Sequence, residues 1–481
     1  MAETRLAVDS HRAAGLAILS VMVLLGCADA PPGLTNLVVV TLDTTRADHL
    51  GLYGYPRDTS PELDAFASQA IVFERALAPM ATTLPTHFSL FTATHPLEHG
   101  VLANRHDDGS RFQVATSLQL FAEVARKAGY RTAAFVSAAP LRRGSDIERG
   151  FEIFTEPAEK RIYRPGHHAT TEALAWLADI SHPFLLWVHY FDAHWPFAPP
   201  PETAELFQTD AMLETWIAER KIPDQSVRIG VGPEESRSVL NRYDAELRYQ
   251  DRQLGLLLEA LQARPDWQQT AVLILGDHGE GLSQHGHSAH GGTWDEQLHV
   301  PLLMRVPGLE PRREEALLSV IDVLPTFLGL LQAPELEAIL AQSSGRDRLS
   351  DTSEAQVLSQ DSGRFRKDGG YRYALTTPNW KYIRRETDTD TSQELLFELA
   401  SDPFELEDVA AARPGVVAEL RERMAAELGQ RLESGLALRP EELPDAPPDP
   451  GLLEQLRQLG YVGPGESVPG ASLAPPEATA P

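Results

Sequence analysis

The sequence predicts an α/β fold, a mostly parallel sheet covered by helices on both faces, and three observations carry that prediction. Apolar strand-like runs alternate with amphipathic helical stretches along roughly the first 340 residues. Two of the runs, 36–42 and 271–276, are dominated by apolar residues, as buried strands require. Each ends in an aspartate, Asp43 and Asp277, and sites in doubly wound sheets form outside the carboxyl ends of strands.

The elements follow in order. After the strand at 36–43, Thr59 or Ser60 can cap a helix with Pro61 in its first turn, and Leu63, Phe66, Ala67 and Ala70 give it one buried face. Residues 116–127 read as a helix and 131–137 as a strand. Residues 171–180 are helical, and 184–189 form an apolar strand. The stretch 242–263 is a long amphipathic helix with Leu247, Leu254, Leu257, Leu258 and Leu261 inward. Strands at 271–276 and 300–306 close this part. Residues 343–370 are polar and read as loop. Strand-like pieces at 373–375, 380–383 and 395–399, then a helix at 416–432, predict a small α+β subdomain. The Pro-rich acidic end reads as disordered. The expected division is a signal at 1–27, a tether at 28–34, a catalytic domain at 35–340, a C-terminal subdomain at 341–435 and a tail at 436–481.

The chain has 481 residues and a formal net charge of −27, which disfavours nucleic acid and anionic membranes as partners. Its one cysteine, Cys27, excludes an intrachain disulfide and a cysteine-rich zinc site. Arg5 and Arg12 precede an apolar run from Ala13 to Gly26, too short to span a bilayer but suited to a secretion signal. Leu24-Leu25-Gly26-Cys27 looks like a bacterial lipobox, and cleavage near Ala28 or Ala30 is the plainer alternative. Both imply export to the periplasm or cell surface, the first with a lipid anchor at Cys27 as the only membrane attachment.

Asp43, Asp277 and His278 supply two carboxylates and an imidazole, the donors a divalent metal takes from rigid elements. A hydroxyl beside such a metal becomes a usable nucleophile, and Thr83-Leu84-Pro85-Thr86-His87 offers one. The plain alternatives are turn or cap roles for the aspartates and helix capping for Thr83.

These residues stand in a series that resembles the sulfatase family of the alkaline phosphatase superfamily. The series is 42–48 (Leu-Asp-Thr-Thr-Arg-Ala-Asp), Tyr53-Gly54-Tyr55, Thr83-Leu84-Pro85-Thr86-His87, Pro96-Leu97-Glu98-His99-Gly100, His189 to Pro196, Gly276-Asp277-His278-Gly279-Glu280, Val300-Pro301-Leu302, and Phe397-Glu398-Leu399 with Asp402-Pro403-Phe404-Glu405. The resemblance spans about 36–408 and implies an alkaline-phosphatase-like fold and hydrolysis of sulfate or phosphate esters. It implies a divalent metal (Ca, Zn or Mn) held by Asp43, Thr83, Asp277 and His278. It further implies catalytic roles for Thr83, His194, His290 and His87, and substrate contact by His194 and Arg46.

The departures are specific. Sulfatases carry cysteine or serine, converted to formylglycine, where Thr83 stands. The motif's arginine is His87, and the second aspartate of the usual pair is Thr44. Ser137, Ala138, Ala139 and Pro140 replace the sulfate-holding lysine and histidine. Thr-x-Pro-x-His is similar to the nucleophile motif of nucleotide pyrophosphatase/phosphodiesterases in the same superfamily.

Five of the 16 histidines fall in 278–299. They are either a second metal site or a loop that orients a leaving group, with His290 at the place of the family's leaving-group lysine. Arg46 braces the metal carboxylates or forms an ordinary ion pair. Lys381 reads as a surface lysine, with reach into the cleft as the alternative. The expected function is therefore a sulfatase-family hydrolase with a threonine nucleophile, acting on an anionic small-molecule or glycan ester. A two-metal phosphodiesterase or phospho-transferase, and an inactive glycan-binding lipoprotein, are the rivals.

Overall fold

Strand β1 (Asn36–Leu42) runs through the middle of an eight-stranded sheet. The structure, a computed structural model, describes residues 36–106, 110–159, 161–180, 183–227, 232–351, 353–362, 371–385 and 393–438. The signal, Cys27, the tether and the tail beyond 438 lie outside these residues. The other strands of the large sheet are β2 (Ile71–Leu77), β3 (Arg131–Val136), β4 (Ile153–Thr155), β5 (Phe184–Tyr190), and, after a short hairpin of β6 (Gln225–Val227) and β7 (Pro233–Glu235), β8 (Thr270–Gly276), β9 (His299–Arg305) and β10 (Arg312–Ser319). Their order is β10-β2-β9-β8-β1-β5-β3-β4, and only the pairings of β9 with β2 and β8 are antiparallel.

Alternation along β1 splits the core into two layers. Leu37 and Val39 join Phe73, Trp187 and Leu273 on one face, against Phe88 and Phe91 of the Thr83–Thr92 helix and Phe327 of the Val320–Leu331 helix. Val38 and Val40 join Leu186, Val188 and Ile274 on the other, against Leu63, Leu247, Leu254 and Leu258. The helix at Ser236–Gln262 supplies most of that second cover, six residues longer at its start than its leucine spacing predicts. The helix predicted at 116–127 begins only at Phe121, after a turn. The one predicted at 171–180 begins at Gly166, whose N–H is held by Asp192 Oδ1 at 2.8 Å.

Several strands have no counterpart in the sequence reading, β2 and β10 of the large sheet among them. β2 is interrupted by Glu74 and Arg75, and β10 opens with Arg312, Arg313, Glu314 and Glu315, because it is an edge strand facing water. The stretch read as loop at 343–370 also contains β11 (Val357–Gln360). It pairs antiparallel with β12 (Arg372–Thr376), followed by β13 (Trp380–Arg385) and β14 (Gln393–Glu398). The Pro414–Leu438 helix packs Val417, Leu420 and Met424 onto Leu375, Tyr382 and Leu396 of this small sheet.

Lys381 corrects an expectation. It is fully buried, and its ammonium pairs with the buried Glu405 carboxylate at 2.6 Å. Glu405 also accepts the Asp295 backbone N–H at 3.1 Å, so the pair fastens the small sheet to the loop between β8 and β9. No helix among the described residues is long and apolar enough to cross a membrane.

Candidate active site

Three neighbouring parallel strands bring the site together. β1 pairs with β5 in the register Thr41↔His189 and Leu42↔Tyr190, and with β8 in the register Leu42↔Gly276. Asp43 and Asp277 therefore leave the sheet side by side, and Asp277 N–H reaches Leu42 O at 3.3 Å. Asp43, Asp277 and His278 each place one donor atom within 4.8 Å of the others, all buried. Thr83, the first residue of its helix, puts Oγ1 3.4 Å from His278 Nε2.

Hydrogen bonds fix which atom of each group is available. His278 Nδ1 donates to Gly279 O at 2.9 Å, which turns the Nε2 lone pair inward. Asp277 Oδ1 accepts two backbone N–H groups, from Thr44 at 3.1 Å and His278 at 2.7 Å. His189 Nδ1 accepts the Ser137 N–H at 3.4 Å, so its other nitrogen donates to Asp43 Oδ2 at 3.3 Å. Asp43 Oδ1 and Asp277 Oδ2 remain buried without a hydrogen-bond partner among the described residues. Two orphaned carboxylate oxygens beside one imidazole lone pair form a donor set that could hold a divalent cation.

The electrostatics agree. Burial pushes the Asp43 carboxyl well up, against a hydrogen bond from Thr83 and with Glu280 adding to the rise. Burial and then the Asp43 charge do the same to Asp277. Burial lowers His278 despite Asp277, and lowers His189 to about 3. Two carboxylates that ionise only at a cost, ringed by neutral imidazoles, call for positive charge between them. Thr44, between them on the chain, sits at φ 50°, a strained conformation for a β-branched residue. Tyr243 Oη, donating to Thr44 O at 2.7 Å, holds it there.

The remaining candidates fall into two groups. His194 and His290 meet with their Nε2 atoms 3.3 Å apart, and His290 lies against His278 with ring centroids 4.4 Å apart. His194 Nδ1 donates to Trp195 O at 2.5 Å and His290 Nδ1 to Ala81 O at 3.0 Å. Arg46 and His87 stand apart from these. Arg46 is fully buried and its guanidinium makes four hydrogen bonds among the described residues, two to Asp48 and one each to Glu280 O and Gln284. That geometry is a brace between the loops after β1 and β8, and it corrects the expectation of an open substrate contact. His87 has both ring nitrogens engaged by protein, Nδ1 with Thr83 O and Nε2 with Thr41 Oγ1, so it too is turned from substrate.

A second group with metal-ligand spacing is His87, His189 and Asp277. Its two imidazoles are committed to the hydrogen bonds just described, which leaves it no free ring lone pair. The other loop histidines serve structure: His285 stacks on Trp294 with centroids 3.9 Å apart, and His299 bonds Glu74 O at 2.8 Å. Thr41 and Trp187 touch this site and were not among the sequence candidates. Strand alternation carries the signal for both, since Thr41 shares a face with Asp43 and Trp187 with His189.

The chain is similar to known proteins in sequence and in fold. Residues 35–333 match the family model described as sulfatase. The ulvan-active sulfatase of Formosa agariphila is 24% identical, over 81% of this chain and 81% of that protein. The endo-4-O-sulfatase of Bacteroides thetaiotaomicron is 24% identical, over 75% of this chain and 83% of that protein. Among solved structures, the phosphonate monoester hydrolase of Agrobacterium radiobacter superposes with a TM-score of 0.65 at 22% identity, covering 83% of this chain and 96% of that one, a likeness of fold.

Proposed function

The chain belongs to the sulfatase family and is a hydrolase acting on ester bonds, and from that premise we propose that it cleaves sulfate, phosphate or phosphonate esters with Thr83 as nucleophile in place of a formylglycine. One observation carries the reading: the Thr83 hydroxyl stands beside Asp43, Asp277 and His278 at the first turn of a helix. Asp43 Oδ1, Asp277 Oδ2 and His278 Nε2 would hold a divalent cation, with Thr83 as neighbour. When bound, such a cation neutralises the anionic group being transferred and lowers the pKa of the hydroxyl. The imidazole among the donors favours Zn or Mn over Ca.

In this reading Thr83 Oγ1 releases its proton to solvent and attacks sulfur or phosphorus in line as the bond to the alcohol oxygen breaks. The facing His194 and His290 supply the proton to that oxygen. Both Nδ1 atoms are tied to backbone carbonyls, which leaves the two Nε2 atoms, 3.3 Å apart, to handle that proton. Water then attacks the sulfur or phosphorus of the threonyl ester, the bond to Thr83 Oγ1 breaks with release of the inorganic anion, and a proton from that water restores the hydroxyl. The N-terminus of the Thr83–Thr92 helix adds a favourable field for the anion. A sulfated glycan is proposed as substrate after the ulvan in one relative's name, and export after the signal-like run at 13–27.

The test is a turnover panel of 4-nitrophenyl sulfate, 4-nitrophenyl phosphate, bis-4-nitrophenyl phosphate and a phenylphosphonate ester on metal-quantified protein. Thr83→Ala is expected to lower kcat by about 1,000-fold or more on the preferred ester. Unchanged turnover in that variant removes Thr83 from the chemistry. The two-metal phosphodiesterase reading rests on the His87, His189 and Asp277 group and predicts two ions per chain. The engaged ring nitrogens there count against it, and metal analysis is expected to give one.

A further inference from the structure

Resting on Thr83 as the nucleophile, we propose that a hydrogen-bonded chain from the Trp187 indole through Thr41 and His87 to the Thr83 backbone aims that nucleophile, with His87 a positioning residue. The two ends of this chain leave no freedom in the middle. An indole N–H only donates, and a backbone carbonyl only accepts. Trp187 Nε1 donates to Thr41 Oγ1 at 2.9 Å. The hydroxyl's single hydrogen then goes to His87 Nε2, 3.0 Å away. The neutral ring carries its one proton on Nδ1 and donates it to Thr83 O at 2.8 Å. Every member is buried, at 1% exposure or less.

The origin of the chain gives it a positioning role. Trp187 lies on β5 and Thr41 on β1, two residues before Asp43. The nucleophile is thereby indexed to the same strand that presents a proposed metal carboxylate. The other side of the turn is held as well: Asn104 Oδ1 accepts the Leu84 N–H at 2.8 Å, and Thr86 Oγ1 donates to Met80 O at 2.6 Å. Thr83 Oγ1 is left facing His278 and Asp43. His87 occupies the place of the family motif's arginine, yet it does not bring a charge toward the substrate. It fixes a backbone carbonyl.

Two substitutions at one position separate this role from mere packing. Asn places an amide N–H where Nδ1 stands and can keep the bond to Thr83 O. Gln carries its amide out to the Nε2 position and gives that bond up. In the full-length protein, on the 4-nitrophenyl ester it turns over best, His87→Gln is expected to lower kcat by about 100-fold with KM within about twofold, the loss a displacement near 1 Å produces. His87→Asn is expected to stay within about fivefold of wild type. Thr41→Val is expected to lower kcat by about tenfold and Thr41→Ser to keep it. ¹⁵N spectra of histidine-labelled protein are expected to show the His87 proton on Nδ1.

Equal activity in the Asn and Gln variants, a loss taken up in KM, or a proton on Nε2 overturns the proposal. Should His87→Gln fail to fold, the Thr41→Val and Thr41→Ser pair decides it, and equal activity there overturns it too. Full turnover by Thr83→Ala sinks the nucleophile reading and this proposal with it. An inactive Thr83→Ala beside equivalent His87 variants sinks the positioning role alone.

Discussion

Asp43 Oδ1 and Asp277 Oδ2 are buried polar atoms with no hydrogen-bond partner among the described residues, and a folded protein tolerates such atoms only where something else satisfies them. Chelation is therefore expected to abolish turnover and lower Tm, with both recovered on adding back Zn or Mn; a chelator-insensitive Tm in protein stripped of metal would argue against the cation. The His194–His290 pair makes a separate prediction. His290→Ala is expected to reduce kcat by about 100-fold or more for esters of poor leaving groups and far less for 4-nitrophenyl esters, because the latter leave without a proton. A uniform loss across leaving groups would mean that the pair does not protonate. The donor residues were legible in the sequence because strand ends and motif spacing mark them. A brace was among the expected roles of Arg46, but its partners and those of His87 were not legible, since residue type does not reveal where a side chain's hydrogen bonds go. Arg46 spends its guanidinium on Asp48, Glu280 O and Gln284, and His87 spends its ring on Thr41 and Thr83.

Among the elements, the buried Lys381–Glu405 pair is the clearest case of tertiary context overriding sequence expectation. A lysine in a short strand of mixed polarity reads as exposed, yet this one lies at 0% exposure, 2.6 Å from a carboxylate contributed by a loop 24 positions on. Removing one member strands the other charge in a dry site. Lys381→Met is expected to destabilise the fold by about 3–5 kcal/mol in denaturant titration. Lys381→Met with Glu405→Gln is expected to recover much of that, and a double variant as unstable as the single would place the effect in packing instead. Strands with continuous apolar runs, β1, β5, β8 and β9, were readable for the reason they are central: both faces are buried. β2, β10 and β11 escaped because charge breaks their pattern or because four residues carry too little of it. The start at Gly166 escaped because its cap comes from Asp192, distant in sequence.

Across the molecule, the carboxylates set a pH limit. Glu246 is raised to about 9 by burial and then by the Asp192 charge, and Asp192 is raised to about 7 by burial. Both folded-state values lie above the unfolded ones. The stability they contribute is fully present below about pH 4 and drains away as pH rises through 7 and 9. Glu246→Gln keeps an acceptor for the Ala198 N–H, which Glu246 now takes at 2.7 Å. It is expected to flatten that decline, gaining on the order of 2 kcal/mol over wild type at pH 9 and little at pH 5 in paired urea titrations. Parallel curves for the two proteins would show that Glu246 is not the group concerned. The α/β class was legible at this scale, because alternation of strand and helix constrains topology. The strand order and the two antiparallel pairings of β9 were not, since no local pattern encodes which strands become neighbours.

β1 lies well inside the sheet, with β5, β3 and β4 on one flank and β8, β9, β2 and β10 on the other. Asp43 and Asp277, just past the ends of β1 and β8, thus lie well away from either edge of the sheet. The middle of the sheet has no slack: β1, β5 and β8 are buried along their whole length, so any change of volume there is passed on to Asp43 and Asp277.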